Sequence, residues 1–346
     1  MMRKVKVGNA YIGGDSNITV QSMTNTDTRN VESTCEQISK LQAAGCDIVR
    51  FAIPDIEAAR AVKEIKSRTN VPLVADIHFD YRLALECINN GIDKIRINPG
   101  NIGSKDRTRE VVRAARERSI PIRIGINAGS LEREILEKYG NPCANALVES
   151  AQKHINILLD ENFEDIVISL KSSDVMTTIN AYKLMHDTYD FPLHLGVTEA
   201  GTLYSGTIKS AIGIGTLLSQ GIGDTIRVSL TSDPVNEVMA GRKILSSLGI
   251  LQEDVNVISC PTCGRCRVNV IEVAQEIERR VTGIRKNITV AIMGCAVNGP
   301  GEAKGADIGI AGGDGEYILF KKGEIIGKVP ADSVLDVLMS EINILS

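Results

Sequence analysis

The sequence has no run of about 18 apolar residues, the length a helix needs to cross a bilayer, so no membrane span is expected. It has no excess of basic charge: 39 Lys and Arg stand against 43 Asp and Glu, a net charge of −4. That balance gives no reason to expect nucleic acid or an anionic membrane as a partner, and any anion site must come from a local cluster of cations. The opening residues, Met-Met-Arg-Lys-Val-Lys-Val-Gly, lack the apolar core of a signal peptide. No strand-like run is followed by a Gly-rich dinucleotide fingerprint, and Gly213-Ile-Gly215 falls inside a helical stretch. No segment is of low complexity.

What is present suits an ordinary soluble globular protein. Apolar residues make up 43% and charged residues 24% of 346 positions, enough for about two domains with full cores. Eight Cys without a signal peptide point to a reducing, cytoplasmic compartment. There, clustered Cys are metal ligands more often than disulfides. The isolated Cys35, Cys46, Cys87 and Cys143 are expected to fill apolar positions.

From residue 18 to 248 a β-rich run alternates with a helix-length segment such as Ile56–Arg68 or Thr108–Arg118. The strand candidates are Ile18–Met23, Asp47–Ile53, Pro72–Ile77, Lys94–Asn98, Pro121–Asn127, Asp165–Lys171, Pro192–Thr198 and Thr225–Leu230. This α/β pattern predicts a (β/α)8 TIM barrel, with a doubly wound open sheet as the alternative. After residue 249 the rhythm changes. Short strands are expected at Val255–Ser259, Asn287–Met293, Ile308–Ala311, Tyr317–Lys321 and Glu324–Lys328. Helices are expected at Val268–Val281 and, capped by Asp332, at Ser333–Ile344. The chain is thus divided into a barrel domain, 1–248, and a small α+β domain, 249–346, joined near Leu248–Asp254.

Several barrel strands alternate between aliphatic and polar residues, as in Ile95-Arg96-Ile97-Asn98 and Ile168-Ser169-Leu170-Lys171. The aliphatic face must pack on helices, so the polar face points into the barrel, where bulky branched residues are the rule. Arg50, Arg96, Arg123, Lys171 and Arg227 fall on five strands, toward the C-terminal ends where this fold builds its sites. Such a cluster is costly without an anion between the cations, and Arg forks match phosphate oxygens. A di- or polyphosphate-type substrate is therefore inferred. The competing reading pairs each Arg internally with Asp76, Glu199 or Asp224. Asp76 and Glu199 are strand-end carboxylates, each suited to general acid–base work or to a counter-ion role. His78 and His194 are expected near the mouth, and His154 and His186 in structural positions. Ser22, Thr24, Asn98, Asn127, Ser169 and Ser229 offer neutral hydrogen bonds.

The most chemical stretch is Cys260-Pro-Thr-Cys263-Gly-Arg-Cys266, answered by Gly294-Cys295-Ala-Val-Asn298-Gly-Pro-Gly-Glu302. Three readings stand. Structural zinc wants four N or S ligands, and with every His far upstream Cys266 would be the fourth. A ferredoxin-like carrier matches the first three Cys of the bacterial run but lacks the fourth, followed by Pro. The third is a cluster held by three Cys and one non-thiolate ligand, for which Glu302 is a plausible oxygen donor.

These motifs, with Val74-Ala-Asp76-Ile-His78-Phe-Asp80, Arg96-Ile-Asn98-Pro-Gly-Asn101, Gly125-Ile-Asn127-Ala-Gly-Ser130, Thr198-Glu199-Ala-Gly201 and Gly221-Ile-Gly-Asp224-Thr-Ile-Arg227-Val-Ser229, resemble the 4-hydroxy-3-methylbut-2-enyl diphosphate synthase family in its two-domain bacterial form. The match spans nearly the whole chain. The resemblance implies an oxidoreductase of the non-mevalonate isoprenoid pathway, with a 4Fe-4S cluster on Cys260, Cys263, Cys295 and Glu302. It implies reductive ring opening and dehydration of 2-C-methyl-D-erythritol 2,4-cyclodiphosphate, with electrons from flavodoxin or ferredoxin. It also implies diphosphate binding by Arg50, Arg96, Arg123, Lys171, Arg227 and Ser229, proton donation by Glu199, and pocket roles for Asp76 and Asn127. Asn98, Ser169 and His194 join the substrate-binding candidates. A homodimer is implied, with the cluster domain of one chain covering the barrel of the other. Cys266 is a departure, since the family does not need Cys there.

Overall fold

The computed structural model describes residues 2–98, 100–252, 254–296 and 299–345, without the side chains of Gly299 and Pro300. The chain divides into two compact units, Met1–Leu248 and Gly249–Ser346.

The first unit opens with an antiparallel hairpin, β1 (Lys4–Val7) and β2 (Ala10–Gly13), which the sequence reading did not anticipate. Eight parallel strands follow: β3 (Thr19–Met23), β4 (Ile48–Ala52), β5 (Leu73–Ile77), β6 (Lys94–Ile97), β7 (Ile122–Asn127), β8 (Ile166–Lys171), β9 (His194–Leu195) and β10 (Thr225–Ile226). The intervening helices are α1 (Val31–Ala43), α2 (Ile56–Arg68), α3 (Tyr81–Asn89), α4 (Lys105–Glu117), α5 (Arg133–Tyr139), α6 (Ala144–Asp160), α7 (Val175–Thr188), α8 (Leu203–Leu218) and α9 (Pro234–Ser247). Each strand pairs with the next in sequence, β10 pairs with β3, and a parallel bridge from Ile168 to Leu193 links β8 to β9, so the sheet closes as a TIM barrel. The β7–β8 connection holds two helices rather than one.

Side-chain alternation sets the layers. Ile95, Ile97, Ile122, Ile124, Ile168 and Leu170 face outward and are fully buried under the helices. At the N-terminal end of the barrel the inward positions Ile48, Val74 and Val167 pack against Val5, Val7 and Ile12 of the hairpin. This apolar floor leaves the polar interior facing the other end.

The helices start where short polar residues satisfy free backbone N–H groups. Asp55 accepts from Ala58 N at the start of α2, and Asp174 from Thr177 N at the start of α7. Cys46 and Cys87 are buried, and burial pushes the Cys46 thiol up to about 12. Cys35 and Cys143 are only half-buried, so the apolar-filler expectation holds for two of the four.

The second unit has a five-stranded sheet of β11 (Asn256–Ser259), β12 (Thr289–Met293), β13 (Ile308–Gly312), β14 (Glu316–Lys321) and β15 (Glu324–Pro330). The first three strands are parallel and the rest antiparallel. α10 (Val270–Val281) and α12 (Val334–Ile344) bury Val273, Ile277, Leu338 and Ile342 against Val290, Ile292, Ile308 and Ile310. The short α11 (Gly299–Glu302) precedes β13, and Ala303 just beyond it packs with Met293 and Phe320. The residue capping α12 is Ser333, not Asp332, and it makes no side-chain cap bond.

Candidate active site

Arg50, Asp76, Arg96, Arg123 and Lys171 lie on barrel strands whose register sets their height, Arg227 lies just past β10, and Glu237 approaches from α9. Arg50 lies in the middle of β4, and Asp76 near the end of β5. Arg123 corrects an expectation: it is the second residue of β7, not a C-terminal one. The stagger between neighbouring strands nevertheless brings it level with Arg96 on β6, its register partner.

Asp76 is the hub of the charged layer. Its carboxylate takes Arg96 Nη1 at 3.1 Å and lies 3.7 Å from Arg50 Nε and 3.4 Å from His78 Nε2. Burial alone would raise its pKa. Arg50, the His78 hydrogen bond and Arg96 outweigh that and hold the carboxyl well below the usual range. Arg96 also donates to Gly125 O at 3.2 Å. With its amide oxygen turned toward Arg96, Asn127 accepts from Nη2 at 3.3 Å and donates to Ile126 O at 3.2 Å.

Glu237 on α9 is the second carboxylate, and the sequence reading missed it. It accepts from Arg227 Nε and Nη2, each at 3.1 Å, from Ser22 Oγ at 2.9 Å and from Leu230 N at 3.1 Å. The internal-pairing alternative therefore holds in part. Asp76 serves Arg50 and Arg96, while Arg227 takes Glu237. Asp224 instead accepts from Leu193 N at 2.7 Å, and Glu199 makes no ion pair among the described residues.

Among the described residues, Arg123 and Lys171 have no carboxylate in contact, and Arg123, 1% exposed, has no hydrogen-bond partner at Nε or Nη1. Burial, then Arg123, Arg227, Arg50 and Arg96, pushes the Lys171 ammonium well below its usual range. Two glycines make room for these side chains. A Cβ on Gly125 would stand 2.3 Å from Arg96 Nε, and one on Gly196 would stand 2.7 Å from both Lys171 Nζ and Arg227 O.

The other candidates occupy distinct places. Ser169 is buried on the inward face of β8, below Lys171. Asn98 donates to Ser130 Oγ at 3.2 Å and accepts from Gly100 N, which commits its amide to the loop after β6 and the turn after β7. Ser229 is half-buried just past β10. His194 is fully buried at the start of β9, deeper than the mouth where it was expected. Glu199 is exposed after β9 with φ +52°, a left-handed conformation that a residue with a Cβ adopts only when its surroundings impose it. His154 is structural, as expected, packed 2.7 Å from Glu132.

In the second unit the Cys motifs follow the ends of two adjacent parallel strands. Ser259 pairs with Ile292, so Cys260 and Cys295 leave neighbouring strand ends. Gly294 N donates to Cys260 Sγ at 3.1 Å. Backbone and side-chain hydrogen bonds from Arg265 hold the exposed Cys263 thiol below its usual range. The Arg265 guanidinium is raised in turn, first by its hydrogen bond with Cys263 and more weakly by the charges of Cys295 and Glu302. Cys266 lies beside the same strand ends: its sulfur is 3.7 Å from Val268 O, packs against the domain core, and would stand 2.2 Å from a Cβ on Gly294. No three His, Cys, Asp or Glu side chains among the described residues converge tightly enough to hold a metal ion, and Val297 and Asn298 of the motif lie outside them. The donor chemistry nonetheless fits an iron–sulfur cluster. It offers three free thiols, a carboxylate and N–H groups aimed at sulfur, the features that hold and tune such clusters.

Residues 2–242 match the family model described as the GcpE TIM-barrel domain, and residues 256–344 match the GcpE protein C-terminal domain. A protein of Clostridium acetobutylicum named 4-hydroxy-3-methylbut-2-en-1-yl diphosphate synthase (flavodoxin) is 62% identical, covering 99% of this chain and 98% of its own. Proteins of the same name from Caldanaerobacter subterraneus subsp. tengcongensis and Geobacter sulfurreducens are 63% and 57% identical, over 99% and 98% of this chain and 96% of each relative. Among solved structures, dihydropteroate synthase from Xanthomonas albilineans superposes with a TM-score of 0.52 at 12% identity, covering 72% of this chain and 99% of its own. That likeness concerns the barrel fold alone. By these matches along both units, the chain belongs to the GcpE family.

Proposed function

We propose that this protein is an iron–sulfur oxidoreductase of the non-mevalonate isoprenoid pathway. It converts 2-C-methyl-D-erythritol 2,4-cyclodiphosphate to 4-hydroxy-3-methylbut-2-enyl diphosphate. The observation that carries the reading is the excess of cations in the barrel interior. Among the described residues, Asp76 pairs with Arg50 and Arg96 and Glu237 with Arg227, while Arg123 and Lys171 have no carboxylate partner. A diphosphate supplies the missing negative charge, and full-length relatives at about this identity carry the matching name.

In this reading the five cations hold the diphosphate as its ring C–O bond breaks and charge gathers on the leaving oxygen. Asp76 keeps Arg50 and Arg96 aimed inward, and Glu237 does the same for Arg227. Ser169 and Ser229 offer hydrogen bonds to phosphoryl oxygens, Asn98 shapes the rim loop, and Asn127 braces Arg96. Glu199, solvent-exposed and able to exchange protons, delivers the proton with which the departing hydroxyl leaves as water. Cys260, Cys263, Cys295 and Glu302 hold a 4Fe-4S cluster, which when bound supplies the two electrons singly. Reduced flavodoxin, or ferredoxin in its place, is the donor, and the enzyme works in the cytoplasm as a homodimer.

The test is anaerobic iron and sulfide analysis followed by turnover of the cyclodiphosphate with reduced flavodoxin and ferredoxin in parallel. Iron and sulfide near four of each per chain with product formation is expected. Zinc without sulfide, or a full cluster without turnover, rejects the reading.

A further inference from the structure

We propose that Lys94 and His194 form a proton-accepting layer beneath the diphosphate site, so that binding of the anion takes up protons at these two residues. The proposal rests on the diphosphate reading of the barrel.

The geometry comes first. Lys94 is the first residue of β6, on the same face as Arg96 and one pleat closer to the hairpin floor. Lys94 and His194 are each 0% exposed. Among the described residues, Lys94 Nζ and both ring nitrogens of His194 have no hydrogen-bond partner, and neither do Nε and Nη1 of Arg123. Gln21 and Thr225, also inward and buried, are likewise unpartnered at their side chains. Buried polar groups are normally satisfied, so a layer of orphans is exceptional.

The charges around the layer are nearly all positive. Arg123 on β7 and Arg50 on β4 act on Lys94 and His194, Lys171 on β8 acts on His194, and Arg96 and Arg227 act on Arg123. The two carboxylates are taken up by other partners: Asp76 on β5 by Arg50, Arg96 and His78, and Glu237 on α9 by Arg227 and Ser22. From α7 the Tyr182 hydroxyl donates to the backbone carbonyl of His194 and brings no charge. Burial, then Arg123 and Arg50, drives the Lys94 ammonium well below its usual range. Burial, then Arg123, Lys171 and Lys94, does the same to His194. Buried, unpartnered and beside cations, both side chains favour the neutral form. A diphosphate held by the cations reverses the field, and each free lone pair accepts a proton drawn from solvent. No other bond changes.

The linkage has a fixed sign. The complex holds more protons than the free protein, so affinity is lost as pH rises between the free and the bound pKa values. With one proton taken up, Kd rises about tenfold per pH unit in that window. Calorimetry of the whole protein with the cyclodiphosphate, in buffers of different ionisation enthalpy, counts the protons directly. Both phosphoryl groups of a cyclic diphosphate are strong acids, so the ligand itself neither gains nor loses a proton near neutrality. Uptake of about one proton or more is expected in the wild type, reduced in Lys94→Met and in Lys94→Arg, whose charge is fixed. Zero uptake, or uptake that survives Lys94→Met and vanishes in Lys171→Arg, overturns the proposal. Selective 13C labelling of lysine ε-carbons reads the same transition without touching Lys94. In Lys171→Arg protein, anion binding should still move one lysine from the amine to the ammonium shift, and no movement counts against it. If the cyclodiphosphate does not bind, inorganic pyrophosphate replaces it, with its own ionisation subtracted. Pyrophosphate binding with uptake upholds the layer and rejects the substrate reading, and failure of both anions overturns both.

Discussion

Glu237 holds Arg227 at two points, Nε to Oε2 and Nη2 to Oε1, each 3.1 Å apart. The pair crosses from a helix to the end of a strand, and Ser22 of β3 braces it from the far side at 2.9 Å. Bidentate contacts of this kind fix a guanidinium plane as well as its position. Glu237→Gln should therefore cost about 3 kcal/mol of barrel stability, because it leaves Arg227 without its counter-charge. A bound diphosphate replaces part of that charge, so the deficit should shrink when the anion is present. Thermal unfolding with and without the cyclodiphosphate checks both statements, and an equal deficit in each would count against an anion beside Arg227.

Gly125 tests the packing of the cation layer. Arg96 is buried, tied to Asp76 and to Gly125 O, and cannot swing aside from a new methyl group at 2.3 Å. Gly125→Ala should raise KM at least about tenfold through loss of one aligned charge-assisted contact, about 1.5–3 kcal/mol. Iron content should not change, since Cys260, Cys263 and Cys295 lie in the other unit. Steady-state kinetics beside iron analysis separates the two effects.

Glu199→Gln keeps the shape and removes the acid. Substrate binding should persist while kcat falls by about 100-fold or more, the usual worth of a positioned proton donor. Turnover at the wild-type rate would exclude Glu199 from that role.

The two cysteines at positions 263 and 266 should part company. Cys263→Ser should lose most of its iron and sulfide after anaerobic reconstitution. Cys266→Ala should retain both, because its sulfur packs against Val268 and the domain core. It should instead lose about 1 kcal/mol of stability through lost packing. Retained iron in the first variant, or lost iron in the second, would reverse the ligand assignment.

Strand boundaries read from the sequence agreed to within a residue or two for β3 to β8. β9 and β10 came out far shorter than Pro192–Thr198 and Thr225–Leu230. Past Leu195 the chain narrows around Gly196 and the Arg227 carbonyl, and Arg227 turns to meet Glu237, so the ladder ends early. The β1–β2 hairpin was overlooked because four residues of alternation, Lys-Val-Lys-Val, read equally well as a basic N-terminus. Glu237 was invisible for a different reason. It sits in the first turn of α9, where acidic residues are common, and its contact with Arg227 depends on how the chain turns between β10 and α9. Lys94 stood in plain sight in Lys-Ile-Arg-Ile, but depth inside a barrel depends on strand stagger, which no local pattern records.

The apolar floor made by Val5, Val7 and Ile12 against Ile48, Val74 and Val167 has a kinetic consequence. It makes the barrel a blind alley with a single doorway. Reactant and product must use that doorway in turn, and a spent molecule lingering on the cations bars the next one. Product should therefore inhibit competitively against substrate at every concentration, and release through the shared opening sets an upper limit on the rate of each cycle.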